Sequence, residues 1–107
     1  MITDKVRRQV FDRDGGCCVV CATPIGLTIQ HRVNRQMGGS QLLDFPENLL
    51  TMCAAHNQAL EADARFAQRG REKGWKLPSW EDPKEVPVRY PDGLLYALTG
   101  LDRKVVE

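Results

Sequence analysis

The stretch "TMCAAHNQALEA", residues 51–62, connects a short apolar run to a helix-forming segment through a Cys-x-x-His pair. Ala, Leu and Glu favour helix, and the sequence predicts one helix from about residue 54 to residue 68, with Gly70 after its end. Cys53 and His56 then lie where the chain enters this helix. Because both residue types are common zinc ligands, the stretch predicts a metal-binding pair at the start of a helix.

A second pair, Cys18-x-x-Cys21, lies earlier in the chain, and 31 residues separate the two pairs. "CCVVCATPIG", residues 17–26, predicts a tight cysteine turn. A spacer of two residues allows both side chains of a pair to face one ion, and zinc prefers four such ligands in a tetrahedron. A site with four protein ligands has no open position for a substrate, so the pattern predicts a structural Zn²⁺ ion bound by Cys18, Cys21, Cys53 and His56.

The alternative is that these are small buried residues with a chance spacing, since unpaired cysteines are often buried. Cys17 is the one cysteine outside the pattern. Because it is adjacent to Cys18, its side chain should point away from the same ion. We therefore expect Cys17 to be a packed thiol and not a ligand.

Length and composition predict a small globular domain. The chain has 107 residues, of which 42% are hydrophobic and 27% charged, and a cross-link, a metal ion or a partner would naturally supplement so small a core. The start of the sequence lacks the apolar segment of a signal peptide, and no apolar run is long enough to span a membrane. We therefore expect a cytoplasmic protein, whose cysteines bind metal in preference to forming disulfides.

Local patterns predict a small α+β fold with further elements on both sides of the metal-binding pairs. Residues 1–76 are expected to form the zinc-stabilised domain. Residues 77–107 are expected to form an appendage that packs on this domain, and the appendage contains Trp80 and a predicted hairpin. Trp75 and Trp80 are expected to be core residues of this tail. The predicted elements are a helix capped by Thr3 and ended by Gly15-Gly16, a strand at residues 27–32, a loop with a turn at Gly38-Gly39, and the hairpin "VPVRYPDGLLYAL", residues 86–98.

The distribution of charge favours a polyanionic partner. Residues 1–76 carry 11 Lys/Arg against 8 Asp/Glu, whereas residues 77–107 carry 4 against 6. Solvated helix faces explain clusters of this size equally well. The basic residues concerned are Lys5, Arg7, Arg8 and Arg13 near the start, and Arg65, Arg69, Arg71, Lys73 and Lys76 after the second pair.

The order of these motifs over residues 4–66 resembles the HNH endonucleases, most closely the small phage-type members with paired zinc ligands. The motifs are "DGGCCVVC", "QHR" at the end of a strand, "GGS", "PENLLTMC" and "AHN" at the start of a helix. The resemblance implies a ββα-metal core, in which a hairpin and a helix hold a divalent ion against a scissile phosphate. It also implies a host-cell location in bacteria and possible contact with phage packaging proteins.

The resemblance further assigns roles to particular residues. His31 would be the general base, a task for which imidazole is suited near neutral pH. Asn48 would orient the loop and the base, and Asn57 would be a ligand of a catalytic Mg²⁺ or Mn²⁺ ion together with residue 30. The implied activity is nicking of DNA with low sequence specificity, through contacts mainly to phosphates. Arg32 and Arg35, which flank the base, are candidates for binding phosphate oxygens.

The sequence departs from the family pattern at two places. His56 stands where the last zinc cysteine is expected and Asn57 where the helix histidine is expected, so an alternative assignment places His56 in the active site and leaves zinc with three ligands. Gln30 stands where Asp or His usually binds the catalytic ion, and a neutral amide is a weaker partner for Mg²⁺ than a carboxylate. Carboxylates that could compensate are Asp44, Glu47 and Glu61.

Three further alternatives stay open. The chain could be a purely structural zinc protein of a phage or mobile element, with the tail hairpin as its interaction surface. The chain could be a catalytically weak or inactive HNH-like zinc module that binds nucleic acid or a phage protein. His31 itself shares strand parity with the apolar residues Leu27 and Ile29, and a lone histidine on an apolar face is often a core residue with satisfied hydrogen bonds.

Overall fold

The computed structural model describes residues 2–34 and 41–107, and over these ranges the chain is a small α+β protein. No helix within the described ranges is long and apolar enough to cross a membrane. The described helices are α1 (Asp4–Arg13), α2 (Ala54–Ala62) and α3 (Ala64–Lys73), and the described strands are β1 (Leu27–His31), β2 (Leu49–Cys53), β3 (Val88–Arg89), β4 (Leu95–Thr99) and β5 (Asp102–Val105).

Helix α1 begins and ends as its sequence predicts. The hydroxyl oxygen of Thr3 accepts a hydrogen bond from the backbone N–H of Val6 at 3.1 Å, which satisfies one of the free donors at the helix start. After the helix, Gly15 and Gly16 both have positive φ angles, a conformation that glycine adopts without strain. The predicted N-cap and the predicted helix end are confirmed.

Strands β1 and β2 form a two-stranded antiparallel sheet that leads directly into α2. Leu27 lies opposite Cys53, and His31 lies opposite Leu49. Since successive side chains of a strand point to opposite faces, Gln30 shares its face with Thr28, and His31 points the other way. All five residues of β2 are buried, so this strand is covered on both of its faces.

The single helix predicted over residues 54–68 is wrong, because Asp63 divides it into α2 and α3. Asp63 has an extended backbone (φ −113°, ψ 112°), and its carboxylate accepts hydrogen bonds from the N–H groups of Arg65 and Phe66. A short acidic side chain that caps a new helix competes with continuation of the old one. Gly70, expected after the helix, lies inside α3, which ends instead at Gly74 in the left-handed conformation (φ 80°).

Gly70 is required inside α3 by packing. A Cβ atom at this position would lie 2.6 Å from Cδ2 of Leu60, a residue of α2 that is almost fully buried. The close approach allows α3 to fold back on α2. Glycine is thus tolerated within the helix because the neighbouring helix needs the space.

The last third of the chain contributes to the same core as the metal-binding pairs. The hairpin predicted over residues 86–98 is confirmed as β3 and β4, while β5, which completes a three-stranded antiparallel sheet, was not predicted. The division between residues 76 and 77 stays a prediction. The buried core cluster joins residues from all parts of the chain: Cys18, Val19, Leu50, Met52, Cys53, Leu60, Trp75, Val88, Tyr90 and Leu98.

A buried polar network also links α1 to this sheet. The Asp14 carboxylate accepts hydrogen bonds from the Arg13 guanidinium, from the hydroxyl of Tyr90 and from the backbone N–H of Thr51. Burial raises the pKa of Tyr90 far above its usual range, and the adjacent Asp14 carboxylate raises it further. Tyr90 therefore remains a protonated donor, and the network stabilises the junction between the start and the end of the chain.

Candidate functional site

The two metal-binding pairs meet in space. The ligand atoms of Cys18, Cys21, Cys53 and His56 all lie within 4.8 Å of one another, and no other such cluster of His, Cys, Asp or Glu occurs over residues 2–34 and 41–107. Nδ1 of His56 is 3.2 Å from Sγ of Cys53 and 3.9 Å from Sγ of Cys18, and the Sγ atoms of Cys21 and Cys53 are 4.0 Å apart. In a tetrahedral site with Zn–S bonds of about 2.3 Å, ligand sulfurs are about 3.8 Å apart. The four residues can therefore hold a structural metal ion such as zinc.

The cysteine turn is held in place by its own backbone. The N–H of Cys18 donates to the carbonyl of Thr23, and the N–H of Ala22 donates to the carbonyl of Cys18, both at 2.9 Å. The N–H of Val20 also donates to Sγ of Cys18 at 3.4 Å. Ala22 has a φ of 65°, the one positive φ of a non-glycine residue in the part of the chain described. A side chain in this left-handed region is strained, so the turn is maintained by its surroundings.

The environment of His56 matches a role as a metal ligand. With Nδ1 directed at the cysteines, its ring stacks on Phe66 of α3 with a centroid distance of 5.3 Å, and Phe66 in turn contacts Trp75 at 5.9 Å. Trp75 is only 4% exposed, which confirms its expected place in the core. The side chains thus give His56 a fixed orientation toward Cys18 and Cys53, as the first of the two assignments predicted.

Cys17 is outside the cluster, as expected from its position beside Cys18. Its Sγ lies 3.7 Å from the backbone carbonyl of Asp14 and is partly exposed. The thiol is therefore packed against the end of α1 and is not a fifth ligand.

His31, at the end of β1, is paired with a carboxylate. Its Nε2 lies 2.8 Å from Oδ1 of Asp44, and the side chains of the two residues are 18% and 10% exposed. With Nε2 engaged by Asp44, Nδ1 is the ring nitrogen that can accept a proton. His31 is therefore neither a solvated surface residue nor a simple apolar core residue. The sequence identified Asp44 only as a carboxylate that could reach a metal ion, and its contact with His31 was not predicted.

Asn48 holds the segments on both sides of this pair together. The residue is fully buried, its Oδ1 accepts from the N–H of Val33 at 2.8 Å, and its Nδ2 donates to the carbonyls of Val33 at 3.2 Å and Leu43 at 2.9 Å. Val33 follows His31 by two residues, and Leu43 precedes Asp44. Asn48 therefore connects the chain leaving β1 to the segment that carries Asp44.

Gln30 and Asn57 lie toward the other face of the β1–β2 sheet. Nδ2 of Asn57 donates to Oγ1 of Thr28 at 2.8 Å and to the carbonyl of Ile29 at 3.3 Å, so α2 is bound to β1. Gln30 is 3% exposed, and its Nε2 is buried with no hydrogen-bond partner among the described residues. Thr28 and Gln30 share a face from which His31 points away. The structure thus brings Gln30 and Asn57 to one face and His31 with Asp44 to the other.

This arrangement does not fit a Mg²⁺ or Mn²⁺ ion held by the protein alone. Such ions require oxygen ligands that usually include carboxylates, whereas Gln30 and Asn57 are neutral amides. Glu47 accepts from the backbone N–H of Gly100 at 3.0 Å, and Glu61 lies 3.6 Å from Nζ of Lys76. These contacts engage Glu47 with the tail and Glu61 with Lys76, and compensation by either carboxylate stays a prediction.

Arg32 is not available to bind a phosphate, and the expectation of that role is wrong. Its side chain is completely buried, and burial lowers the pKa of its guanidinium to about 10. Arg32 instead connects the β1–β2 unit to the tail. Its donors bond to the backbone carbonyls of Glu47, Gly74, Pro83 and Val86. Arg35 and the turn at Gly38-Gly39, the other expectations in this stretch, lie outside the described residues.

The described residues also present a row of positive charge on α3. Arg65, Arg69 and Lys73 are spaced four residues apart, which places them about 6 Å from one another along one side of the helix. Arg65 and Arg69 are exposed, Lys73 is partly exposed, and none of the three forms an ion pair with a described residue. We call these three residues the α3 basic row.

Two further features of the described surface are an exposed tryptophan and a pair of cavities. Trp80 is 82% exposed, so its predicted place in the core is wrong. Two surface cavities, of about 470 and 280 Å³, lie beside α1 and the three-stranded sheet, and Arg103 lines both of them. Neither cavity is lined by His31 or Asp44, so these two hollows do not coincide with the His31–Asp44 pair.

Comparison of this chain with models of protein families, with curated proteins and with solved structures gives no match.

Proposed function

We propose that the chain is an HNH-type endonuclease that hydrolyses phosphodiester bonds in DNA and is stabilised by a structural Zn²⁺ ion. The observation that most supports this function is His31 at the end of β1, bonded through Nε2 to Asp44. The chain order β1, β2, α2 supports it as well, since the helix packs on the hairpin through Asn57 and begins at the second metal-binding pair. The proposed fold of this unit is ββα-metal.

The proposed reaction uses His31 as general base. The Nδ1 atom accepts a proton from a water molecule, whose oxygen forms a new bond to phosphorus with the electron pair of the broken O–H bond. The bond between phosphorus and the 3′ oxygen breaks, and this oxygen takes a proton from solvent. The products are a 5′ phosphate and a 3′ hydroxyl, and His31 returns the proton it accepted to solvent.

The requirement for a catalytic divalent ion is part of the proposed activity and is open to direct measurement. Such an ion would act as a Lewis acid toward the phosphoryl oxygens. The described residues offer such an ion two neutral amides, those of Gln30 and Asn57. A titration with Mg²⁺ and Mn²⁺ shows whether nicking requires one.

The α3 basic row supports DNA as the substrate. Three cations without ion-pair partners among the described residues, about 6 Å apart along the helix, complement the regular charge of a phosphate backbone. Contacts of this type position a duplex without reading its sequence. We therefore propose low sequence specificity and an affinity that falls steeply with salt.

The test is nicking of a supercoiled plasmid by the purified protein, with Mg²⁺, with Mn²⁺ and with EDTA. We expect conversion to the open circular form, and loss of this activity by about 10²-fold or more in His31→Ala. Zinc content should be unchanged in this variant, because His31 is not part of the Cys₃His cluster. Gln58→Ala, at an exposed position of α2, is the control and should nick like the wild type. An intact plasmid under all metal conditions would contradict the proposed activity.

A second function is favoured by one observation, the buried and neutral Gln30. The same unit without a catalytic ion would be a zinc-stabilised module that binds nucleic acid or a phage protein. Gln30→Asp and Gln30→His separate the two functions. If either variant gains nicking activity or raises it, the site is a nuclease centre that Gln30 weakens. If the wild type and both variants bind DNA without cutting it, the binding module is the correct function.

A further inference from the structure

The carboxylate of Asp44 has no role in the metal-binding pattern, yet it bonds directly to the ring of His31. We propose that Asp44 is the positioning residue of the general base: it holds the His31 ring so that Nδ1 faces the attacking water. This inference rests on the proposed endonuclease function.

Asp44 is placed for this role by a rigid local structure. The carbonyl of Leu43, one residue before it, accepts from Nδ2 of the fully buried Asn48, and the carbonyl of Phe45, one residue after it, accepts from the N–H of Asn48 at 2.9 Å. Both neighbours of Asp44 are thus fixed by one residue. Asn48 also binds both polar groups of the Val33 backbone, so the distance between His31 and Asp44 is set from both ends.

The contact has two chemical consequences. A carboxylate accepts from Nε2–H, which favours the ring tautomer that carries its proton on Nε2 and leaves the lone pair on Nδ1. When Nδ1 takes the proton of water, the ring becomes an imidazolium, and the nearby negative charge of Asp44 stabilises it. Both side chains are mostly buried, so solvent screens this interaction less than it would at the surface. The proton that moves is that of water, and the proton on Nε2 stays in place.

The competing possibility is that Asp44 is a ligand of a catalytic metal ion, a role open to any carboxylate close to Gln30. The position of Oδ1 argues against it, because that atom is 2.8 Å from Nε2 of His31 and His31 points away from the face of Gln30. The two roles differ in a measurable way: a positioning residue changes the rate constant, whereas a metal ligand changes the metal concentration required.

The kinetic test compares Asp44→Asn with wild type on a short duplex substrate. We expect kcat to fall by at least about tenfold, the size of effect typical for partners that orient an active group. KM and the Mg²⁺ or Mn²⁺ concentration for half-maximal activity should change less than twofold. Asp12→Asn, at an exposed position of α1, is the matched control and should leave all three unchanged. An unchanged kcat, or a tenfold increase in the metal requirement, overturns the proposal.

A measurement without activity tests the contact itself. The chain has two histidines, so the long-range ¹H–¹⁵N spectrum of the imidazole nitrogens is simple to assign with His31→Ala. We expect His31 of the zinc-loaded wild type to carry its proton on Nε2 when the ring is neutral, and Asp44→Ala to populate both tautomers. A proton on Nδ1 in the wild type overturns the proposal. If the wild type shows the expected tautomer but never nicks DNA, the contact is confirmed, while the endonuclease function and the catalytic role of Asp44 fail together.

Discussion

The Cys₃His cluster and the His31–Asp44 pair lie at opposite ends of the same β1–β2 sheet, and they are built in different ways. The cluster takes its ligands from two short pairs, each with a spacer of two residues, and every ligand is of the type that zinc prefers. The pair joins residues 13 positions apart, and a third residue, Asn48, sets their distance. Metal chemistry requires a fixed set of residue types at short spacing, whereas orientation of a base can come from any carboxylate that the fold brings near.

The largest expected effect is at the cluster. Cys53→Ser, or removal of metal by a strong chelator, should unfold the protein at room temperature, because the binding energy of a structural zinc ion is largely folding energy, about 10 kcal/mol or more in small domains. Circular dichroism and metal analysis measure this. The fluorescence of Trp75, which contacts the His56–Phe66 stack, should change in parallel.

Cys17→Ser is the matched control for the cluster. It replaces a cysteine adjacent to a ligand without touching the four residues themselves. One metal ion per chain and a nearly unchanged melting temperature are expected. Loss of the metal in this variant would show that the ligand set differs from Cys18, Cys21, Cys53 and His56.

The second prediction concerns a variant that weakens the other end of the sheet, where His31 and Asp44 lie. Asn48→Ala removes three hydrogen bonds and leaves the buried backbone groups of Val33 without these partners, which should cost about 2–3 kcal/mol of unfolding free energy. Nicking should decrease because the distance from His31 to Asp44 is no longer fixed. On one sample, chemical denaturation measures the unfolding free energy, plasmid nicking measures the activity, and metal analysis measures the metal content.

The outcome of Asn48→Ala also tests whether the two regions are independent. We expect full metal content, since Asn48 is not one of the four ligands and its side chain bonds to the other end of the sheet. If the variant loses its metal ion, the two ends of the sheet form one cooperative unit, and the contrast between them fails.

The third prediction concerns DNA affinity and the α3 basic row. Arg65→Glu with Arg69→Glu should weaken binding by about tenfold or more at moderate salt and reduce the salt slope by about 0.9 for each phosphate that is no longer neutralised. Fluorescence anisotropy with a labelled duplex measures both. Lys84→Glu with Lys104→Glu, two exposed positions outside the basic clusters, changes the net charge equally. An equal decrease of affinity in both double variants would mean that net charge, and not the α3 basic row, determines binding.

The smallest expected effect is a gain of stability at the cysteine turn. Ala22→Gly removes the strain of a side chain at φ 65° and should raise the unfolding free energy by up to about 1 kcal/mol, since the relief of strain exceeds the added chain entropy. Thermal melting of the zinc-loaded protein measures this. Ala67→Gly, at a partly exposed position in the middle of α3, should have the opposite sign, because glycine in a helix interior costs about 1 kcal/mol relative to alanine.

Several elements followed from local patterns, whereas several errors have causes outside the local sequence. The Thr3 cap, β1 and the β3–β4 hairpin are as predicted, because capping, alternation and turn residues act over a few positions. The break at Asp63 was missed, since an Asp inside a helix-favouring stretch can be tolerated or can cap a new helix. The burial of Arg32 and the exposure of Trp80 were missed because neither depends on neighbours in the chain.

By itself, the sequence determined which four residues could hold a structural metal ion, because four soft or borderline donors in two short pairs can meet around one ion with little help from the rest of the fold. It also determined that His31 would lie in a strand. Only the tertiary structure decided that His31 contacts Asp44 and that the buried Nε2 of Gln30 has no hydrogen-bond partner among the described residues. These properties depend on the path of the chain between β1 and β2, on the hydrogen bonds of Asn48 and on burial, and all three are set by contacts between residues far apart in sequence.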